Sequence, residues 1–367
     1  MKYYVIAGEA SGDLHGANLM SELVARDPEA EFRFWGGDAM AAIGGEQVRH
    51  IRDLAIMGFV DVALHLRTVL GNISYCKQDI AQWQPDVLIG IDYPGFNLKI
   101  EAWAHERGLR TVHYISPNLW AWKKGRIRGM RCTLDRLCYI LPFERKFFAD
   151  NDMPQAVFVG HPLLDEVAHY KEKKICTDGR QVIALLPGSR RQELRSNLPM
   201  MAQLASCHPE YRFVVAGMSL VGNSIYDELI PEKSNVEVVY NRTYDILASA
   251  YAAVVCSGTA TLEAALFNVP QVVCYRGDAI SYAIARIVVG RRIRYISLVN
   301  LIADSTIVTE LIQNDFNPDR LEREFARITT DDANRERMLD QYSDMRTLLG
   351  DGGASARTAQ TIIDLIK

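Results

Sequence analysis

Residues 2–13 read KYYVIAGEASGD: six residues in a mostly apolar run, then Gly8, Glu9, Ala10, Ser11, Gly12 and Asp13. A short unbroken apolar run closed by glycines reads as a strand buried on both faces. Residues 13–26 carry apolar side chains at helical spacing and predict a helix. Strand, glycine loop and helix in that order are the first step of a parallel α/β sheet covered on both sides. Outward from there, residues 32–35, 86–91 (after Pro85) and 110–115 predict further strands. The stretches between them are amphipathic, as at Ile100, Trp103 and Ala104.

A second series opens near residue 180. QVIALL (181–186) runs into PGSRRQE and a helix; residues 211–216, 236–239, 252–256 (AAVVC) and 270–275 predict more strands. The chain thus predicts an α/β fold of two Rossmann-like domains facing across a cleft. The first spans 1–170 and the second 171–345, with residues 170–180 as the linker. A C-terminal segment, 346–367, ends in a helix set off by Asp351, Gly352 and Gly353.

Composition narrows the function classes. Of 367 residues, 49% are hydrophobic and 23% charged, which excludes a disordered or collagenous chain. Forty-one basic residues against 45 acidic ones give a net charge of −4, which argues against nucleic acid as a partner. No apolar run approaches the roughly 18 residues of a membrane span, and the N-terminus lacks a signal peptide's pattern. Seven cysteines with no C-x-x-C pair predict reduced thiols and a cytoplasmic protein.

In doubly wound sheets, ligands bind beyond the carboxyl ends of the strands. The loop 8–13 offers glycines and a helix N-terminus to a polar ligand; the same residues also suit a tight turn with Ser11 or Asp13 as the cap. Asp92 stands at the end of DVLIGI, held by Pro94-Gly95, placed either for general-base work or for an Asx-type turn. Ser116 to Lys124 (SPNLWAWKK) sets two tryptophans beside His113 and opens a basic run that includes Arg126, Arg128, Arg131 and Arg136. Arg286, Arg291, Arg292 and Arg294 form a second basic group. Either suits a solvated helix face or a dock for phosphate or an anionic lipid surface. Residues 54–70 are apolar enough for a core helix or for contact with acyl chains.

In the second half, Gly188, Ser189 and Arg190 open one helix, and Ser257, Gly258 and Thr259 open another. Each alone is explained as a helix cap. Two such loops in one domain point to a nucleotide diphosphate, with Glu263 placed for ribose hydroxyls. No P-loop or dinucleotide fingerprint and no zinc-spaced histidine pair is present, so no metal or cofactor is expected.

These residues resemble bacterial lipid-A-disaccharide synthase. The matching stretches are AGEASGD (7–13), LAIMGF (54–59), VLIGIDYPGFN (87–97), HYISPNLWAW (113–122), LPFE (141–144), FVGHPL (158–163), LLPGSRRQE (185–193), CSGTATLE (256–263), VVCYR (272–276) and SLVNL (297–301). The resemblance implies the two-domain, metal-independent glycosyltransferase fold, known as GT-B. The implied reaction is inverting transfer of 2,3-diacylglucosamine from its UDP conjugate to the 6-hydroxyl of 2,3-diacylglucosamine 1-phosphate. The products are a β-1,6-linked disaccharide phosphate and UDP. By the same resemblance Asp92 is catalytic. Gly188, Ser189, Arg190, Glu263 and Asn300 fall on UDP-associated positions, and Glu9, Ser11, Gly12 and Asp13 on the loop facing the cleft. Asn97, His113, Ser116 and Trp120 complete the expected acceptor side. The expected partners are lipid-linked sugars and the cytoplasmic face of the inner membrane. The C-terminal segment is expected to return to an N-terminal domain, in the same chain or swapped in a homodimer. A UDP-N-acetylglucosamine 2-epimerase and a non-catalytic UDP-sugar or lipid-binding module stand as alternatives.

Overall fold

The computed structural model describes residues 1–54, 66–119, 125–171, 175, 178–231, 234–277 and 294–367. These form two compact units: Met1–Asp165 with Asp351–Lys367, and Glu166–Gly350.

In the first unit the elements run β1 (Lys2–Ala7), α1 (Ala10–Arg26), β2 (Glu31–Gly36), α2 (Asp38–Ile43), β3 (Glu46–His50), α3 (Leu66–Trp83), β4 (Val87–Ile91), α4 (Pro94–His105), β5 (Arg110–Tyr114), α5 (Arg126–Thr133), β6 (Arg136–Tyr139), α6 (Glu144–Asp150), β7 (Ala156–Phe158) and α7 (Pro162–His169). Its seven strands are parallel, in the order β3-β2-β1-β4-β5-β6-β7. The central strands β1 and β4 are buried almost end to end, because helices cover both faces; that is why they read as unbroken apolar runs. Tyr4, Ile6, Trp35, Leu88 and Ile100 pack together in this core.

The second unit continues with β8 (Val182–Leu186), α8 (Arg191–Cys207), β9 (Arg212–Gly217), α9 (Ser224–Leu229), β10 (Val236–Tyr240), α10 (Thr243–Ser249), β11 (Ala250–Cys256), α11 (Thr259–Leu266), β12 (Gln271–Tyr275), α12 (Leu298–Ala303), β13 (Thr309–Ile312), α13 (Pro318–Thr329) and α14 (Asp332–Leu349). Its six parallel strands lie in the order β10-β9-β8-β11-β12-β13. Each sheet therefore reverses its order once, between β1 and β4 in the first unit and between β8 and β11 in the second. Such a switch point is where two neighbouring loops leave in opposite directions and open a crevice.

The units divide at Asp165 and Glu166, inside α7, rather than at 170–171. The second division falls at Gly350 and Asp351, not at 345–346. The last helix, α15 (Ala354–Ile366), packs on α1 of its own chain's first unit. Asp165 holds its start by accepting hydrogen bonds from the Gly353 and Ala354 amides. Arg357 then ties the helix to the end of β7 through the Val159 carbonyl at 2.8 Å. Among the described residues no helix is long and apolar enough to cross a membrane. The described cysteines are all free thiols, with Cys76, Cys138, Cys256 and Cys274 buried.

Candidate active site and nucleotide-binding loops

In the first unit, the loops after β1 and β4 flank the switch point. Gly8 ends β1 against the ring of Tyr93; a Cβ there would lie 2.4 Å from that ring, so no larger residue fits. Helix α1 begins at Ala10, earlier than its apolar pattern indicates, with an extended Glu9 as N-cap and no side-chain cap. Glu9 and Ser11 are exposed, and Gly12 is buried against Ala7. Asp13 turns inward from this loop. Its carboxylate is buried and accepts from the amides of Gly37 (2.6 Å), Ala39 (3.0 Å) and Met40 (3.1 Å), so it caps α2 instead.

Asp92 and the next residue, Tyr93, both take left-handed backbone conformations, φ +44° and +50°. Non-glycine residues reach that region at a cost, and such strain persists where surrounding bonds fix it. Here Asp92 N–H donates to the Tyr114 carbonyl at 2.9 Å, and the Asp92 carbonyl accepts from Asn97 Nδ2 at 2.8 Å. Asn97 also reaches the Ile6 and Ile91 carbonyls at 3.3 Å. It is fully buried and braces the ends of β1 and β4. The Asp92 side chain is half-buried. Burial pushes its carboxyl above the usual aspartate range, His113 pulls it partly back, and the charge of Glu9 adds to the rise. A raised, partly accessible carboxylate with a fixed backbone is suited to accept a proton.

On β5, His113 is fully buried and paired with Glu101 at 2.7 Å. Ser116 lies just beyond β5, buried, with its hydroxyl donating to the Pro117 carbonyl at 3.0 Å. Two titratable groups nearby sit in stretches quoted above without a role. His161, in GHPL, accepts from the Leu163 amide through Nδ1 at 3.3 Å and caps α7; burial lowers it to about 3. Glu144, in LPFE, is buried and accepts from the Leu141 amide at 3.3 Å; burial pushes its carboxyl up to about 8.

Glu144 has a consequence for stability. A carboxyl raised in the folded state stabilises the fold fully below its unfolded value, and that contribution is lost as pH climbs through the folded one. Between roughly pH 4.5 and 8 the native state therefore weakens by on the order of 4 kcal/mol. Glu144→Gln keeps the Leu141 acceptor and cannot ionise. Its melting temperature should match the parent at pH 4 and exceed it by about 5–10 °C at pH 9. Equal melting curves at pH 9 would refute the assignment.

In the second unit, the loops after β8 and β11 flank the other switch point. Gly188 has φ +119°, and a Cβ there would lie 2.5 Å from Glu193 Oε2. The amides of Ser189 and Arg190 are not open to an anion: Glu193 Oε2 accepts from both, at 2.9 and 3.2 Å. Their helix-opening groups are thus met from within α8 by a capping box. The Arg190 guanidinium remains exposed, 3.7 Å from Glu193. After β11, the Ser257 amide donates to the Cys274 carbonyl at 3.1 Å and its hydroxyl to the Ile296 carbonyl at 3.0 Å. Gly258, at φ +145° and ψ −160°, takes a conformation reserved for glycine and turns the chain so that Thr259 opens α11. Glu263 lies on α11 near the Tyr244 hydroxyl, 3.4 Å away.

Asn300 is bonded within the fold on both sides of its amide group. It is fully buried; Nδ2 donates to the Val308 carbonyl and to Glu310, both at 2.9 Å, and Oδ1 accepts from the Ile307 and Val308 amides. It shapes the turn from α12 into β13. Trp120, Lys123, Lys124, residues 55–65 of the apolar stretch, Arg286, Arg291 and Arg292 lie outside the described residues.

Comparisons with known proteins agree on the family. The model of the family described as lipid-A-disaccharide synthetase matches residues 3–362. The lipid-A-disaccharide synthase of Syntrophus aciditrophicus is 36% identical over 375 residues, covering 99% of this chain and 97% of that one. Its counterpart in Chromohalobacter salexigens is 35% identical, covering 100% and 97%. Among solved structures, UDP-GlcNAc 2-epimerase from Neisseria meningitidis bound to UDP-GlcNAc superposes with a TM-score of 0.70 at 12% identity, covering 99% of this chain and 100% of that one. The glycotransferase of kitacinnamycin superposes with a TM-score of 0.68 at 17% identity, covering 100% and 99%. At those identities the structural likeness speaks for the fold alone.

Proposed function

Since this chain belongs to the lipid-A-disaccharide synthetase family, we propose that it transfers 2,3-diacylglucosamine from UDP to the 6-hydroxyl of 2,3-diacylglucosamine 1-phosphate, with Asp92 as the base. It is a glycosyltransferase of the step that forms the lipid A disaccharide. The observation that carries the residue assignment is Asp92 itself: a raised, half-buried carboxylate, fixed in a strained conformation at a switch point.

Asp92 takes the proton of the acceptor hydroxyl as that oxygen attacks the anomeric carbon from the side opposite UDP. The bond to the diphosphate breaks, and its charge is met by Arg190 and by the amides that open α11 at Thr259. Glu263 is assigned to the ribose. No metal is assigned a part. The amides of Ser189 and Arg190 serve the diphosphate only if Glu193 lets go of them.

The epimerase reading shares the fold, but the family match runs nearly the whole chain. A detergent assay with radiolabelled UDP-2,3-diacylglucosamine, the 1-phosphate acceptor and EDTA should yield a disaccharide and UDP. UDP-N-acetylglucosamine alone should yield no epimer. Epimer formation without disaccharide would overturn the reading.

Peripheral attachment to the inner membrane belongs to the same proposal. Arg128 and Arg131 are exposed on α5, and Leu70 and Tyr75 are exposed on α3. Each basic residue near an anionic surface contributes about 1 kcal/mol. Arg128→Glu with Arg131→Glu should lower sedimentation with phosphatidylglycerol vesicles at least tenfold and leave binding to soluble UDP unchanged. Equal sedimentation would remove α5 from the membrane face.

A further inference from the structure

Strands β4 and β5 pair in parallel, with Gly90 opposite His113 and Ile91 opposite Tyr114. Side chains alternate between faces along a strand, and paired residues share a face. Gly90 and His113 therefore belong to one face of the sheet. Gly90 leaves a hole there that the Glu101 carboxylate fills from α4: a Cβ at position 90 would lie 2.2 Å from Glu101 Oε1. That same oxygen meets His113 Nδ1 at 2.7 Å, and both side chains are fully buried. Two residues past Gly90, just beyond the end of β4, stands Asp92, whose amide donates to the Tyr114 carbonyl of β5 at 2.9 Å. Just past His113, Ile115 is held at φ +71°, a real outlier for a β-branched residue.

A buried ion pair is seldom a net gain for stability; apolar residues of the same volume usually do as well or better. A fully buried Glu–His pair directly behind a half-buried carboxylate, flanked by three strained backbones, calls for another reason. We propose that Glu101 and His113 are positioning residues for Asp92, the imidazolium serving as its buried counter-charge. The inference rests on the reading of Asp92 as the base.

The charges around these groups are consistent with it. Burial is the largest single influence on His113 and lowers it, but the Glu101 carboxylate, Asp92 and the Ile115 backbone together outweigh burial and raise it. Around Asp92 stand His113, Glu9 and His15, with the Tyr93 amide. Removing the His113 cation takes away the largest influence holding the Asp92 carboxyl down, so its proton affinity rises. The acidic limb of the rate profile then moves to higher pH.

The test is a pH profile of kcat and kcat/KM for the full-length enzyme and for Asp92→Asn, His113→Gln and Glu101→Gln. His113→Gln should lower kcat by roughly 10–100-fold. It should also move the acidic limb up by about one pH unit or more, with KM for the UDP-sugar little changed. Glu101→Gln should move the limb the same way, and the double variant should be no worse than the more damaging single one. A lower kcat with an unmoved limb would mean a merely structural pair. An active Asp92→Asn enzyme would sink the base assignment itself, a separate result. The unaltered enzyme offers a check that needs no variant: nitrogen NMR of the imidazoles. His113 should hold its proton to a higher pH than a free histidine side chain; a ring that gives it up at a lower pH than a free histidine overturns the proposal.

Discussion

Asp92→Asn is expected to lower kcat by about 10²–10⁴-fold, the usual contribution of a positioned general base, while UDP affinity stays within about twofold. The substitution keeps shape and volume. The Asp92 amide still donates to Tyr114 and its carbonyl still accepts from Asn97, because both bonds are made by the backbone of residue 92. Only the proton-accepting oxygen is lost. Asparagine also tolerates the left-handed region better than most residues, so the strained conformation at φ +44° survives. The UDP contacts are assigned to the second unit, which the substitution does not touch. Turnover assays with calorimetric UDP titration separate the two effects. Near-full activity in the variant would remove Asp92 from the chemistry.

Arg190→Ala is expected to lower kcat by about 10²–10³-fold, as removal of one preorganised donor to a developing negative charge commonly does. The guanidinium is the group left to the PGSR loop for an external anion. Glu193 occupies the Ser189 and Arg190 amides, and the Ser257 amide across the switch point is committed to Cys274. Arg190 is largely exposed, so its removal leaves the core of the second unit intact, and the melting temperature should not fall by more than a few degrees. Arg190→Lys should recover only part of the rate, since a point charge replaces a planar fork. A rate within threefold of the parent for Arg190→Ala would move the diphosphate elsewhere.

The central strands were legible because burial on both faces leaves a continuous apolar run: KYYVIA, VLIGI, VIALL and AAVVC all mark β-strands within a residue or two. β3 was not, because EQVRH is a half-exposed edge strand with no apolar run to show. β7 and β13 are only three and four residues long and partly exposed. At the site, residue type and loop position single out Asp92 and Arg190 as candidates. They do not reveal the hydrogen bonds that Asp13, Asn97 and Asn300 make within the fold. Asp13 caps a helix 24–27 residues away, which no local pattern reveals. Glu193 did carry a signal, a glutamate in the first turn of a helix three residues past its N-cap. The Glu101–His113 pair had none, since one partner sits on a helix and the other on a strand, joined only when Gly90 opens space between them.

A single displacement, in which the acceptor oxygen gives its proton to Asp92 and attacks the anomeric carbon on the side opposite UDP, must invert that centre. A double displacement would restore it. The configuration of the new glycosidic bond, read from the proton coupling at its anomeric carbon by NMR of the isolated disaccharide, tests this most directly. A configuration opposite to that of the donor is expected from the parent enzyme and from any residual turnover of Asp92→Asn. A product that keeps the donor's configuration would contradict it.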